Sequence, residues 1–368
     1  MPTRDAAAYA VLTLLLLFVA VNLQAGWVYA VDAVLIGFAL AGWLSTYLAT
    51  RPLRVTRMLP GEVFEGERVI VELSFAPVRL PRFFVHVCDA IPGFDAGAVF
   101  VPFLWRQGAS ARYETVARRR GMHRAQTIEL RSEGVTGLFQ LRRTVSAAAT
   151  ATVFPRYDVL RDFPLPGRQG VELTPVSRPA RTGVDVAGVR DFRDGDDPAH
   201  IHWRSTARRG HLVVREFERE VEPEATIVID TRPTSSDDEG FENLLRAAAS
   251  VAHLVTRRAQ AVRLLVERDT GAEIATAGWT DTLRILASLQ RSGRLSPADL
   301  CASVPSGTPV VFFTGDVDAV LRLAAAGTPA VAVITDGAPP RGPMLLNAMG
   351  VPVRVLRQGE EVGRCLAG

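Results

Sequence analysis

"ATIVIDTRPTS", Ala225–Ser235, is the stretch on which the fold turns. It begins as an unbroken apolar run ending at Asp230. That is the pattern of a strand buried on both faces, and such strands belong to parallel sheets covered by helices. The residues that follow agree. Phe241, Leu244, Leu245, Ala248, Val251, Ala252 and Val255 recur at three- and four-residue spacing, which places them on one helix face. The runs "AVRLLVE", "TPVVFFTGD", "AVAVITDG" and "VPVRVL" add strands, and Thr280–Gln290, Asp316–Ala326 and Met344–Gly350 supply helices between them. The alternation predicts a C-terminal α/β domain over 223–368. Ligands of such sheets bind where the carboxyl ends of the strands meet the loops, which singles out Asp230, Asp316 and Asp336.

Towards the N-terminus the period changes from helix-and-strand to strict alternation. In "ERVIVELSF" the residues Val69, Val71, Leu73 and Phe75 point one way, and Arg68, Glu72 and Ser74 point mostly the other. "FFVHVCD", "ARYETVA", "RAQTIELR" and "TATVFP" follow, separated by Gly, Pro and Asp, so 51–160 is predicted to be an all-β, immunoglobulin-like sandwich. "RRRGMHR", Arg118–Arg124, reads either as a turn at Gly121 or as a basic patch. Residues 161–222 form a connector that is rich in Pro, Gly and Arg and ends in a charged motif.

The first 50 residues are different again. Ala6–Leu23 and Trp27–Ala49 are almost wholly apolar, each close to the roughly 20 residues that cross a bilayer as a helix. Their tight polar junction makes a transmembrane hairpin rather than a signal peptide followed by a core helix. Trp27, Tyr29, Trp43 and Tyr47 lie near the ends of the second run, as interfacial aromatics do, and Asp32 is close enough to an end to reach headgroups. Arg4 before the hairpin and Arg51, Arg54 and Arg57 after it put both flanks, and the bulk of the chain, in the cytoplasm beneath the plasma membrane.

Composition narrows the chemistry. Against 42 cations stand 39 acids, a net charge of +3, so nucleic-acid binding is not implied. All the cations are arginines. The absence of lysine removes Schiff-base chemistry, a lysine base and the phosphate-gripping lysine of a P-loop. Cys88, Cys301 and Cys365 are scattered, without metal or disulfide spacing. No GxSxG, GxxxxGK[ST] or HExxH occurs, so no catalytic residue or cofactor is assigned.

"RDGDDPAHIHWRSTARRG", Arg193–Gly210, is the densest chemistry in the chain. Asp197 with Pro198 reads as a helix start and Gly210 as its stop. On that helix His200 and His202 would point about 200° apart and could not share an ion. Trp203 reads as a packing anchor. Arg190, Arg208 and Arg215 stand among Asp196, Asp197, Glu216 and Glu220, a mixture expected to pair as guanidinium–carboxylate forks and to present a recognition surface. The alternative is a metal-dependent hydrolase built on Asp196, Asp197, His200 and His202.

"GVRDFRDGDDPAHIHWRSTARRGHLVVREFERE", Gly188–Glu220, resembles the signature of the domain of unknown function family 58. The residues that carry the resemblance are Arg190, Phe192, Gly195, Asp196, Asp197, Ile201, Trp203, Ala207, Arg208, Arg215, Glu216, Phe217 and Glu220. Ala199 departs from the pattern, where an arginine often stands. The resemblance implies a membrane hairpin, a β-rich middle and a von Willebrand A-like C-terminal domain. It also implies a role beside a MoxR-type AAA+ ATPase and transglutaminase-like membrane proteins, in assembly or activation of complexes and without established enzymatic activity. Von Willebrand A domains often hold Mg²⁺ through D-x-S-x-S. Here "DTRPTS" keeps Asp230 but puts Arg232 at the first serine position and Thr234 at the second, so a degenerate site without tightly held metal is expected.

Overall fold

The computed structural model describes residues 3–24, 26–166, 186–192, 201–217, 225–257, 261–268, 271–305, 308–337 and 341–367. They form two compact units, Met1–Arg156 with Leu283–Leu289, and Tyr157–Thr282 with Gln290–Gly368.

The first unit opens with α1, Arg4–Leu23, and α2, Gly26–Ala49. At 1.5 Å per residue they measure about 30 and 36 Å, so both are long and apolar enough to cross a membrane. Thr3 caps α1 by accepting from the amide of Ala6. Trp27, Tyr29, Trp43 and Tyr47 are exposed. Asp32 is not: it is buried instead of reaching outward, because it falls on the side of α2 that is covered.

Eight strands follow: β1 Val55–Met58, β2 Glu62–Phe64, β3 Arg68–Phe75, β4 Arg82–Asp89, β5 Gly97–Leu104, β6 Ala109–Val116, β7 Gly121–Ser132 and β8 Leu141–Phe154. They make a three-stranded sheet, β1-β3-β6, and a five-stranded one, β2-β8-β7-β4-β5. The alternation in β3 buries Val69, Val71, Leu73 and Phe75 as read from the sequence. Leu73 and Phe75 share one core with Val85, Val87 and Leu130 of the larger sheet, so the two sheets pack face to face. Inside that core Arg57 on β1 grips Asp89 on β4 through Nε (2.8 Å) and Nη2 (2.6 Å). Its Nη1 and Nη2 also donate to the carbonyls of Ala147 and Thr127, and Tyr113 on β6 donates to Asp89 at 2.7 Å. The pair is buried and fully hydrogen-bonded, which is what a buried charge requires. Burial and the neighbouring Asp89 carboxylate push the Tyr113 phenol far up.

In the second unit, β9 Val186–Asp191 and β10 Val213–Phe217 form an antiparallel ribbon, and the short helix α3, Trp203–Arg209, lies in the connection between them. The remaining elements are β11 Ala225–Ile229, α4 Asp238–Thr256, β12 Val262–Arg268, β13 Gly271–Ala277, α5 Trp279–Ser288 (from Leu283 onward part of the first unit), α6 Pro297–Cys301, β14 Val310–Thr314, α7 Val317–Ala325, β15 Ala330–Thr335, α8 Arg341–Ala348, β16 Val353–Leu356 and α9 Val362–Ala367. Their six strands stand in the order β13-β12-β11-β14-β15-β16, all parallel except β13, which forms a hairpin with β12. This is the doubly wound order, reversing direction between β11 and β14. Every residue of β11, β14 and β15 is buried, as strands covered on both faces must be.

Candidate functional site at the carboxyl end of the sheet

At the reversal point β11 ends in Asp230 and β14 in Thr314, and the chain turns outward from both. Asp230 is fully buried. Arg232 folds back over it, donating from Nε to Oδ1 (2.9 Å) and from Nη2 to Oδ2 (2.7 Å). The same Nη2 reaches Asp316 Oδ2 at 2.9 Å. Thr314 Oγ1 donates to Asp230 Oδ2 at 2.6 Å, and the amide of Arg232 donates to Oδ1. One guanidinium thus sits between two carboxylates, at the place where a cation would neutralise them. Its own proton affinity rises through the hydrogen bond to Asp230 and, secondarily, to Asp316. Burial alone would push the Asp316 carboxyl up, but hydrogen bonds from Arg232 and the Ala319 amide hold it below the usual carboxylate range.

The local backbone is built around this lock. Asp316 caps α7 by accepting from Ala319, which fixes its second oxygen towards Arg232. Gly315 donates to Ser235 Oγ, and a Cβ on Gly315 would lie 1.6 Å from the Ser235 carbonyl oxygen, so only glycine lets the two loops touch. Arg291 Nη1 donates to the carbonyls of Pro233 (3.0 Å) and Ser236 (2.6 Å), and its Nε meets Asp238, which holds the loop after β11 from the other side. Beside the lock opens a cleft of about 350 Å³, lined among others by Arg232, Thr234, Ser235, Asp316, Arg341 and Leu345. Met344 and Leu345 on α8 are exposed at or next to its rim.

Of the residues read from the sequence, Asp230, Arg232, Thr234 and Asp316 meet at this end of the sheet. Asp336 follows β15 as an exposed turn residue and is not part of the lock. Thr314, Ser235 and Gly315 were missed. Thr314 and Gly315 stand in the "TGD" that closes β14, and their role depends on a loop 80 residues away in sequence, which no local pattern reveals.

The charged motif is described in part. Gly195, Asp196, Asp197, His200 and Glu220 lie outside the described residues. Ile201 bridges Val214, so the chain is extended there and the helix starts after His202 rather than at Asp197. His202 precedes α3 as its N-cap. His202 Nδ1 is 2.7 Å from Ser205 Oγ. The helix stop is where it was read, at Gly210 with φ 76°. Trp203, expected to anchor packing, is 67% exposed, on a short helix that has no buried residue. Phe192 is half-buried with its amide on the Leu212 carbonyl, and Arg208 is exposed on the last turn of α3. Arg190, Arg215 and Glu216 stand in the ribbon, opposite Val214, Val189 and Gly188. His211 Nε2 meets Asp191 Oδ1 at 2.9 Å. Among the described residues no group of three His, Cys, Asp or Glu side chains gathers as metal ligands.

A ribbon bearing this motif, leading into a doubly wound sheet with an arginine between two acids at its switch point, defines an α/β protein. Residues 188–308 match the model of the family described as "Protein of unknown function DUF58". The chain is also similar to the "Uncharacterized protein YeaD" of Bacillus subtilis (strain 168), with 25% identity over 229 residues. That match covers 59% of this chain and 56% of the relative, so it spans little more than half of the relative's length. The CARDB domain of the PF1109 protein from Pyrococcus furiosus, solved in complex with di-metal ions, is 14% identical and covers 28% of this chain and 94% of that one. Its TM-score is 0.20, at which the likeness carries no argument.

Proposed function

We propose that the chain is a membrane-anchored adaptor without enzymatic activity, which binds a cytoplasmic protein partner through its α/β unit and the α3 motif. The partner that the family resemblance implies is a MoxR-type AAA+ ATPase, and a transglutaminase-like membrane protein would share the assembly. One observation carries the reading: Arg232 engages both acids at the sheet's switch point, where folds of this kind put their chemistry. A committed guanidinium cannot act as a base, and Asp316, held ionised and hydrogen-bonded, is a poor proton shuttle. The sheet order, with its antiparallel edge β13 and acids at the ends of β11 and β14, is what supports a von Willebrand A-like reading in which the arginine takes the place of the metal.

Exposed Trp203 and the cations of α3 support the docking role, since an exposed tryptophan beside arginines is the composition of binding hot spots. The test is co-purification of the full chain, in detergent, with a purified MoxR-type ATPase. Capture should weaken at least tenfold with Trp203→Ala or Arg208→Glu. Equal capture by wild type and both variants would remove α3 as the docking element.

A further inference from the structure

The β-sandwich exposes aromatic side chains that its own core does not use. Phe83 and Phe84 on β4 and Phe100 and Phe103 on β5 all face solvent, with Trp105 just beyond. Phe83 lies 5.3 Å from Phe103, Phe84 stacks 6.2 Å from Phe100, and Phe103 is 6.3 Å from Trp105, so they form one patch. It is an enforced patch. Phe84 takes φ +53°, a left-handed conformation costly for a bulky residue, and this breaks the alternation so that two consecutive phenylalanines point outward. β5 is moreover an edge strand, where exposed apolar side chains invite aggregation in water.

The patch is continuous with the hairpin. Arg82, the residue before Phe83, donates from Nη1 and Nη2 to the carbonyls of Arg51 and Pro52, immediately after α2 ends. The β7–β8 loop runs down beside the helices. The Val135 amide donates to Ser45 Oγ, Thr46 Oγ1 donates to the Phe139 carbonyl, and Thr3 Oγ1 at the start of α1 donates to the carbonyls of Gly137 and Leu138. Strand ends and hairpin end thus lie at one level. A bilayer has a hydrocarbon core of about 30 Å within about 40–45 Å overall, leaving an interfacial layer on each side in which aromatic residues and arginines concentrate. The composition fits that layer. Arg106 lies 5.0 Å over the Trp105 ring, Arg51 lies 5.6 Å over Tyr47, and Arg79 is exposed next to Leu80.

We propose that the β4–β5 edge of the sandwich lies in the interfacial layer of the same bilayer that α1 and α2 cross, with Phe83, Phe84, Phe103 and Trp105 among the acyl-chain ends and Arg51, Arg79 and Arg106 on anionic headgroups. The proposal shares with the adaptor reading only the placement of the hairpin. The occupant of the patch is lipid, and the anchor is a hairpin together with a seated domain rather than a hairpin carrying a free one.

The test uses the full chain with its three cysteines replaced, reconstituted in vesicles of mixed neutral and anionic phospholipid. Single nitroxide labels are placed at Phe103→Cys, at Trp105→Cys, at Leu15→Cys inside α1, and at Met122→Cys, ten residues along β7 from Ser132 and so about 33 Å from the hairpin end. Labels at 103 and 105 should collide more with oxygen than with a water-soluble nickel complex, as at 15, with the opposite sign at 122. If 15 reads lipid but 103 and 105 read water like 122, the proposal is overturned while the hairpin stands. Labels at 103 and 105 that are immobilised and shielded from both reagents would show a protein surface, such as a second copy, covering the patch, and would overturn it too. A water reading at 15 removes the hairpin and the proposal together. In purely neutral vesicles the 103 and 105 labels should shift towards water, and no shift would overturn the role given to the arginines.

Discussion

Arg232 Nη2 stands 2.7 Å from Asp230 Oδ2 and 2.9 Å from Asp316 Oδ2, so a single nitrogen joins the loop after β11 to the loop after β14. The tether is covalently part of the chain. Unlike a bound ion it cannot be removed by a chelator, and its charge does not titrate in the physiological range. Removing it leaves buried Asp230 without its countercharge. Loss of one partner from a buried pair costs about 3–5 kcal/mol. Arg232 is partly exposed and water can relieve some of that cost, so Arg232→Ala is expected to destabilise by about 2–3 kcal/mol in chemical denaturation at neutral pH.

Arg232→Ser restores a small hydroxyl beside the two carboxylates and should open a site that a hard divalent ion can enter. The variant is expected to gain thermal stability on addition of Mg²⁺ or Mn²⁺, while the parent chain shows no shift. Micromolar binding of either ion to the parent chain in calorimetry, abolished by Asp230→Ala, would show instead that the arginine leaves room for metal.

The Asp316 carboxyl is held below its unfolded value of about 3.9, so its contribution to stability is fully present above that pH. It is lost as pH falls through the folded-state value, because only then does the native carboxylate take up a proton. Asp316→Asn should flatten the acid limb of a stability-versus-pH curve below about pH 4 and leave the neutral-to-alkaline part parallel to that of the parent. An acid limb identical in both proteins would place the titration elsewhere.

Much of this architecture was legible from local pattern, and the reason is periodicity. β3 showed its buried face at every second residue, and α4 showed its face at three- and four-residue steps, because each buries one side against a large core. Asp230, Arg232 and Asp316 could be read because a doubly wound sheet brings strand ends together wherever the loops lead. The failures share another cause. Trp203 was read as an anchor because aromatic residues usually bury, but α3 spans only Trp203–Arg209 and offers no second layer to bury it under. The Arg57–Asp89–Tyr113 network was invisible, since its members come from three strands in two sheets and each by itself resembles an ordinary surface residue. The exposure of Phe84 depends on a left-handed backbone angle that no residue type announces.

The sandwich network supplies its own prediction. Arg57→Leu or Asp89→Leu alone leaves an unpaired buried charge and should destabilise by about 3–5 kcal/mol. The double variant removes both charges and should recover most of that loss, by the general rule that apolar residues replace a buried ion pair at little net cost. A double-mutant cycle in urea reads the coupling directly. A double variant as unstable as the sum of the singles would mean that the carbonyls of Ala147 and Thr127, left without their donor, set the cost instead.

Gly315→Ala tests how closely the two loops of the lock must approach. A Cβ at this position would stand 1.6 Å from the Ser235 carbonyl oxygen, far inside contact distance, and the obstacle is main chain rather than a side chain that can swing aside. The loops would have to separate by more than an ångström, carrying Asp316 away from Arg232 and breaking the hydrogen bond from the Gly315 amide to Ser235 Oγ. The expected result is a destabilisation of about 2–4 kcal/mol, in the range where strain and a lost buried hydrogen bond combine. Because separation already loosens the Arg232–Asp316 contact, adding Asp316→Asn to Gly315→Ala should cost less than Asp316→Asn does in the parent chain. Full additivity of the two substitutions would mean that the loops are positioned independently and that the lock does not hold them together.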